Sequence, residues 1–371
     1  MSDAGLPPIG YATRPDAVRA RLDGATLLVS NPSNIRWLTS FGGSLGWVVV
    51  GPERCALITD GRYAERAAAD IESASLAHVV DVVVGTTRPQ IRDHVIAVAG
   101  GGEVRAEADH LTHAQWLDLA GALSLTPDTG TITTLRRVKD RGELARMEHA
   151  ASIADAALTE VAPMLAARPT EADVRDELEY RMHRAGADGP SYDTIVASGP
   201  DNAARPHHHT GRRTVLEGDT VIIDVGALVD GYHSDMTRSF VVGEPTVEQS
   251  AIYELVLEAQ LAGLDAVRPG VSARQVDTAC RGMFGDRGYG DWYLHGTGHG
   301  VGLDIHEDPF ASQASTAELL VGDVVTVEPG LYRGGFGGFR IEDLVEVTAT
   351  GGRRLTHLSK DSPCLPSPPT T

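Results

Sequence analysis

From Leu144 through Met147, Ala151, Ala154, Leu158 and Val161 to Leu165, apolar residues recur at steps of three and four. That spacing predicts a long helix with one apolar face. Arg168-Pro169-Thr170 opens a second helix, with Thr170 and Asp173 spaced as a capping box. The same order returns about a hundred residues on. Thr246 and Gln249 are spaced to cap a helix carrying Ile252, Leu255, Val256 and Ala259, and Arg268-Pro269-Gly270 precedes another helical stretch. Each helical pair leads into β-type runs, and two of these read almost alike at 104 positions apart: Leu216-Glu-Gly-Asp-Thr-Val-Ile-Ile-Asp224-Val-Gly226 and Leu320-Val-Gly-Asp-Val-Val-Thr-Val-Glu328-Pro-Gly330. Each is Leu-x-Gly-Asp, an apolar run, a carboxylate, one residue and a glycine. The repetition predicts a duplicated α+β unit over residues 140–355.

The first 130 residues alternate strand and helix patterns and predict an α/β domain. Strands are expected at 25–30, 46–50, 55–59, 79–84 and 104–107, with helices such as 63–71 and 113–123 between them. The polar, turn-rich stretch from Leu125 to Thr131 places the domain boundary within 125–140. Residues 356–371 form a Pro-rich tail whose end, from Ser362, is expected to be disordered.

Charge and composition narrow the function. A net charge of −19 argues against nucleic acid or an anionic membrane as partner, because phosphate binding needs clustered Lys and Arg. Three cysteines, Cys55, Cys280 and Cys364, show no metal-type spacing and are read as free thiols of a reducing compartment. The first residues lack the basic and apolar regions of a signal peptide, and apolar runs such as 47–50 are too short to span a bilayer. A cytoplasmic location is the expectation.

The chemistry lies at the strand ends. An acid closing a buried β run is costly unless paired or bound to metal. Asp230-Gly231 is a strong hairpin signal, and a turn centred there sets Asp224 opposite Thr237 with Asp235 as its diagonal neighbour. After Glu328 a glycine-rich turn returns the chain through Phe339-Arg340-Ile341-Glu342, where alternation puts Arg340 and Glu342 on one face. Between the hairpins runs His295-Gly-Thr-Gly-His299-Gly-Val-Gly-Leu-Asp-Ile-His306. Its glycines exclude a stable helix, so a loop is expected to aim His295, His299 and His306 into a shared space. Asp224 or Asp235 alone would read as an ordinary strand-end or turn acid; their ordered combination with the others reverses that reading. Gly42-Gly-Ser44-Leu-Gly46 matches the nucleophile-elbow pattern of serine hydrolases, but a strand pattern follows where that elbow needs a helix.

The ordered set Asp224, Asp235, His299, Glu328 and Glu342 resembles the metal-binding set of the creatinase-fold, or pita-bread, metallopeptidases, which include Xaa-Pro aminopeptidase, prolidase and methionine aminopeptidase. The resemblance covers nearly the whole chain. Asn34-Ile35-Arg-Trp-Leu38 through Ser44, and Thr59-Asp60-Gly61-Arg62-Tyr63, are similar to the N-terminal domain of the Xaa-Pro-cleaving branch, and Gly199-Pro200 through Pro206-His207-His208 to its substrate-side loop. A full N-terminal domain disfavours methionine aminopeptidase, and the intact ligand set disfavours metal-free creatinase.

The resemblance implies a dinuclear peptidase that cuts Xaa-Pro bonds by attack of a metal-bridging hydroxide. Asp224 would bind one metal, Asp235 and Glu342 would bridge, and His299 and Glu328 would complete the other. Glu328 would also shuttle the proton, His207 and His306 would hydrogen-bond the substrate, and His295 would line the pocket. Arg340 and Tyr332 would orient the carboxylates, with Tyr332 near the substrate. Mostly oxygen donors suit Mn²⁺ and also accept Co²⁺, Zn²⁺ or Fe²⁺. A homodimer is the family's habit. The competing reading is a hydrolase or lyase of the same fold acting on a small non-peptide molecule.

Overall fold

A computed structural model describes residues 5–365. Two compact units divide the described chain between Arg136 and Arg137, with residues 5–7 belonging with the second. In the N-terminal unit, six strands form one mixed sheet: β1 (Thr26–Val29), β2 (Trp47–Val50), β3 (Cys55–Asp60), β4 (Val80–Gly85), β5 (Glu103–Glu107) and β6 (Ser124–Asp128), ordered β4-β3-β2-β1-β5-β6. Helices at Pro32–Thr39, Ala64–Ser73, Arg88–Ala99 and His113–Ala120 connect them. The stretch read from sequence as a polar linker contains β6, which pairs in parallel with β5 alone. Pro127 is tolerated there because an edge strand has an unpaired side on which a missing N–H costs nothing. The Gly42–Gly46 segment is a loop followed by β2, without the helix of a nucleophile elbow.

The second unit is built twice. Helices Arg141–Val161 and Glu171–Arg184 pack on a sheet of three antiparallel strands, Ile195–Ser198, Thr220–Val225 and Met236–Val241. Helices Val247–Ala266 and Ala273–Asp286 pack on five strands: Gly298–Gly300, Glu307–Ala311, Val324–Val327, Asp343–Thr348 and Gly351–Arg354. Each half buries its own core. Ile153, Leu158, Val161, Val174, Leu178 and Ile223 pack in the first; Ile252, Val256, Val276, Phe284, Val327 and Val345 pack in the second. The expected capping boxes are present at Thr170–Asp173 and Thr246–Gln249. Helical structure from Arg141 to Ala167 is long and apolar enough to cross a bilayer, yet its apolar face is spent on the first core.

The repeated Leu-x-Gly-Asp is a turn. Leu216 donates its N–H to Asp219 Oδ2 at 2.7 Å, and Leu320 donates to Asp323 Oδ2 at 2.8 Å. Gly218 and Gly322 adopt φ of +84° and +94°, a region open to glycine at no steric cost. An arginine pairs with each aspartate: Arg213 with Asp219 and Arg137 with Asp323. The repeat therefore sets where two equivalent strands begin, and so where their terminal acids fall.

The halves join along Met236–Val241 and the 339–343 segment. Glu342 N donates to Thr237 O, Arg340 N donates to Ser239 Oγ, and buried Arg238 ties to Glu342 O and Asp343. Part of the tail is ordered into this unit. Tyr253 OH donates to Lys360 O, Val241 N donates to Pro363 O, and Leu358 and Leu365 pack against the first core. The expected disorder does not hold for 362–365; residues 366–371 lie outside the described residues.

Candidate metal centre

Both hairpins bring their acids inward. With Asp230 and Gly231 at φ +49° and +78°, the turn sets Leu228 opposite His233 and, in unbroken register, Asp224 opposite Thr237. Asp235 follows on the same strand path. In the second half, Val327 pairs with Asp343 and Gly330 with Arg340, so Glu328 and Glu342 stand opposite one another between these pairs. Thr237 links the two halves by donating to Glu342 Oε2 at 2.7 Å.

The expected loop around His299 is a three-residue strand, Gly298–Gly300, paired with Glu307–Ala311 and Val324–Val327. Cβ atoms at positions 298 and 300 would meet neighbouring carbonyl oxygens at 2.0 and 2.4 Å, so only glycine lets these strands close on the histidine. His299 Nδ1 lies 3.0 Å from Gly300 O, which makes Nδ1 the protonated nitrogen. Nε2 is then free as a donor atom, 3.6 Å from both Asp235 Oδ2 and Glu328 Oε1.

A cavity of about 460 Å³ collects Asp224, Asp235, His299, Glu328, Glu342 and Arg340, together with His207, His295 and His306. Donor atoms of Asp235, His299 and Glu342 all lie within 4.8 Å of one another. Burial, then the neighbouring Asp224 charge, raises the Asp235 carboxyl well above its usual range. Burial and the Asp235 charge do the same to Glu342, and burial raises Glu328. Among the described residues the only cation lining this cavity is Arg340, whose Nη2 donates to Asp224 Oδ2 at 2.5 Å. Four pooled acids facing one guanidinium are electrostatically costly, and divalent cations would offset that cost. The donor set fits hard divalent ions: carboxylate oxygens with one neutral imidazole.

Arg340 does more than neutralise one acid. Its Nε donates to Thr237 Oγ1 at 3.0 Å, and its Nη1 donates to Pro206 O at 2.7 Å and Tyr332 OH at 3.1 Å. Tyr332 OH stands 2.9 Å from His295 Nε2, while His295 Nδ1 faces Gly296 O at 2.7 Å. Both His295 nitrogens are thus engaged, and that ring offers the cleft an edge rather than a free base. Tyr332 was expected near the substrate; buried and absent from the cavity wall, it braces His295 and Arg340 from behind. His306 keeps an exposed surface while its ring stands edge-on to His299 at 4.4 Å; partial loss of water around the ring, then His299, lower its pKa. His207 is exposed and also lines the cavity.

Sequence reasoning missed Tyr192. Its hydroxyl oxygen lies within hydrogen-bond distance of both Asp224 Oδ1 and Asp235 Oδ1, the latter at 2.5 Å, and burial followed by those acids raises its pKa well above the ordinary phenol. No local pattern marks it, because the Ser191-Tyr192-Asp193 turn precedes the strand Ile195–Ser198 with no periodicity of its own.

Comparison with known proteins agrees with this architecture. Residues 145–349 match the model of metallopeptidase family M24, and residues 17–138 match the creatinase/prolidase N-terminal domain. The chain is 35% identical to an uncharacterised peptidase, YqhT, of Bacillus subtilis, over 92% of this chain and 95% of that protein. Among solved structures it resembles an Xaa-Pro dipeptidase from Bacillus anthracis, with a TM-score of 0.89 at 35% identity, covering 95% and 99% of the two chains. A prolidase from Pyrococcus furiosus superposes with a TM-score of 0.81 at 32% identity, covering 90% and 97%. The fold is the pita-bread fold, preceded in sequence by a creatinase-type N-terminal domain, and membership of a metallopeptidase family implies divalent metal ions. Matched across more than half its length by the family model and along nearly all of it by a relative, the chain belongs to metallopeptidase family M24 and is a metallopeptidase.

Proposed function

We propose that this enzyme hydrolyses the bond preceding proline in Xaa-Pro peptides, using two divalent ions, foremost Mn²⁺. The convergence of Asp224, Asp235, His299, Glu328 and Glu342 on one cleft carries this reading. The names of the relatives supply the substrate class. In the proposal Asp224 would serve one ion, Asp235 and Glu342 would serve both, and His299 and Glu328 would serve the other. Two divalent ions held there would supply a hydroxide nucleophile at neutral pH and would polarise the scissile carbonyl.

The side chains of the chain itself have separable tasks. Glu328, raised by burial, suits the transfer of the nucleophile's proton to the leaving proline nitrogen. His306 and His207 on the cavity wall donate N–H groups to the substrate carbonyl and its developing oxyanion. Arg340 holds Asp224 in orientation through its hydrogen bond, and Tyr332 holds Arg340 and His295 in place. Free cysteines support a reducing cytoplasmic site of action, and the family resemblance supports a homodimer.

The deciding experiment removes metal with EDTA and adds back Mn²⁺, then compares an Xaa-Pro dipeptide with longer Xaa-Pro-peptides. Chelation should abolish cleavage and Mn²⁺ should restore it; the ratio of the two substrates separates dipeptidase from aminopeptidase action. Failure to cleave either peptide would overturn the reading in favour of a small non-peptide substrate.

A further inference from the structure

The histidine-bearing segment after Ser198 is held by a buried acid to which no role in the reaction has been given. Glu171, the first residue of helix Glu171–Arg184, is fully buried. Its Oε1 accepts Ser198 N at 2.8 Å, Ser198 Oγ at 2.7 Å and Asn202 Nδ2 at 2.9 Å. Its Oε2 faces Asn202 Nδ2 and His208 Nε2, each at 3.2 Å, and Gly211 N at 3.3 Å. These partners are the residue before the segment, two residues within it and one at its end. Between them lie Pro206, whose carbonyl accepts Arg340 Nη1, and His207, which lines the cleft.

Capping alone does not explain such a carboxylate. Thr170 and Asp173 already satisfy the start of the helix with a complete capping box. A fully buried acid with several separate donors is instead a device that fixes one arrangement of what it touches. The second half has a counterpart. Buried Asp277 accepts Thr297 Oγ1 at 3.0 Å and holds Arg281, whose Nη2 donates to His295 O at 2.9 Å. Glu171 follows its helix cap Thr170 by one residue, whereas Asp277 follows Ser272 by five, so the two acids are not copies of one ancestral position. Two unrelated positions have reached the same task of holding a histidine segment from behind.

We propose that Glu171 is a positioning residue for the peptidase reaction: it clasps the 199–211 segment so that His207 meets the substrate and Pro206 O meets Arg340. Its kinetic arm rests on the proposed peptidase reading; a spectroscopic arm does not. Glu171→Gln preserves shape and one acceptor but turns an N–H₂ group toward donors such as Gly211 N–H. With Mn²⁺ bound at wild-type stoichiometry, kcat/KM on an Xaa-Pro dipeptide should fall about ten- to a hundred-fold, as misplacement of a binding group does. On a His207→Ala background the same substitution should change kcat/KM by less than about two-fold, because the route through His207 is already cut. Multiplicative effects in the double variant, or an unchanged Glu171→Gln enzyme, would overturn the proposal.

The imidazole NMR signals of His207 and His208, assigned with His→Gln variants, should shift in Glu171→Gln while those of His295 stay in place. This readout survives even if no Xaa-Pro peptide is cleaved, and unshifted His207 signals would count against the clasp. Should Glu171→Gln fail to fold, Asn202→Ala removes a single arm and should give the same changes at smaller size; full activity with unmoved imidazole signals there would overturn the proposal.

Discussion

At the scale of single residues, the site is a balance between acids that repel and the groups that hold them together. Asp235 is the sharpest case, raised by burial and by Asp224. An acid whose folded pKa lies above its unfolded value stabilises the fold at low pH and loses that contribution as pH rises past about 4. In EDTA, Asp235→Asn should therefore show a higher urea midpoint than the wild type near pH 8, with the gap closing toward pH 5. With metal present the order should reverse, and turnover should drop by about two orders of magnitude or more. A gap that widens toward acid would contradict the assigned direction. Tyr192 holds two of these acids with one hydroxyl. Tyr192→Phe should keep the fold and weaken metal binding about ten- to a hundred-fold, as loss of a group that orients ligands does. Calorimetric titration with Mn²⁺ checks this, and unchanged affinity would remove Tyr192 from the metal centre.

Among the elements, the duplicated turns and hairpins deliver the acids. Asp323 is fully buried against Arg137, while Asp219 pairs with the more exposed Arg213. Asp323→Ala strands a partly buried guanidinium and the Leu320 N–H, and should cost about 3 kcal/mol; Asp219→Ala should cost about 1–2 kcal/mol. Urea denaturation of both variants tests this ranking, and a larger loss from Asp219→Ala would show the repeat's turns to be unequal in another way. The hairpin register was legible because Asp-Gly dictates a two-residue turn, after which pairing is counting. The strand β6 and the strand at Gly298–Gly300 were not legible. Their sequences are rich in Pro, Thr or Gly, and partners distant along the chain make them strands.

Over the whole molecule, the two units carry separate reporters. Cys55 is buried in the N-terminal unit and Cys280 in the second, and burial pushes both thiols up to about 12; Cys364 is exposed. Native protein should alkylate at Cys364 alone near neutral pH. Under increasing urea, removing metal should lower the midpoint for Cys280 labelling more than that for Cys55, because ion binding is linked to the unit that holds the ions. Equal shifts, read by mass spectrometry of the labelled peptides, would mean that both units unfold together. Stability should also fall as pH rises from 9 toward 12, since the unfolded thiols ionise first, and Cys55→Ala or Cys280→Ala should flatten that slope.

Periodicity along the chain was enough to foretell helices, capping boxes and the duplication, since each depends on neighbours within a few residues or on repeated local spacing. It was also enough to align Asp224, Asp235, Glu328 and Glu342 with strand ends, because a buried run can end in an acid only where something meets the charge. Tertiary structure alone decided that Tyr192 spans two acids, that Tyr332 stands behind His295, and that Glu171 grips the segment of His207. Those contacts join residues tens of positions apart, and hydrogen bonds formed across a folded core leave no periodic trace in the chain that makes them.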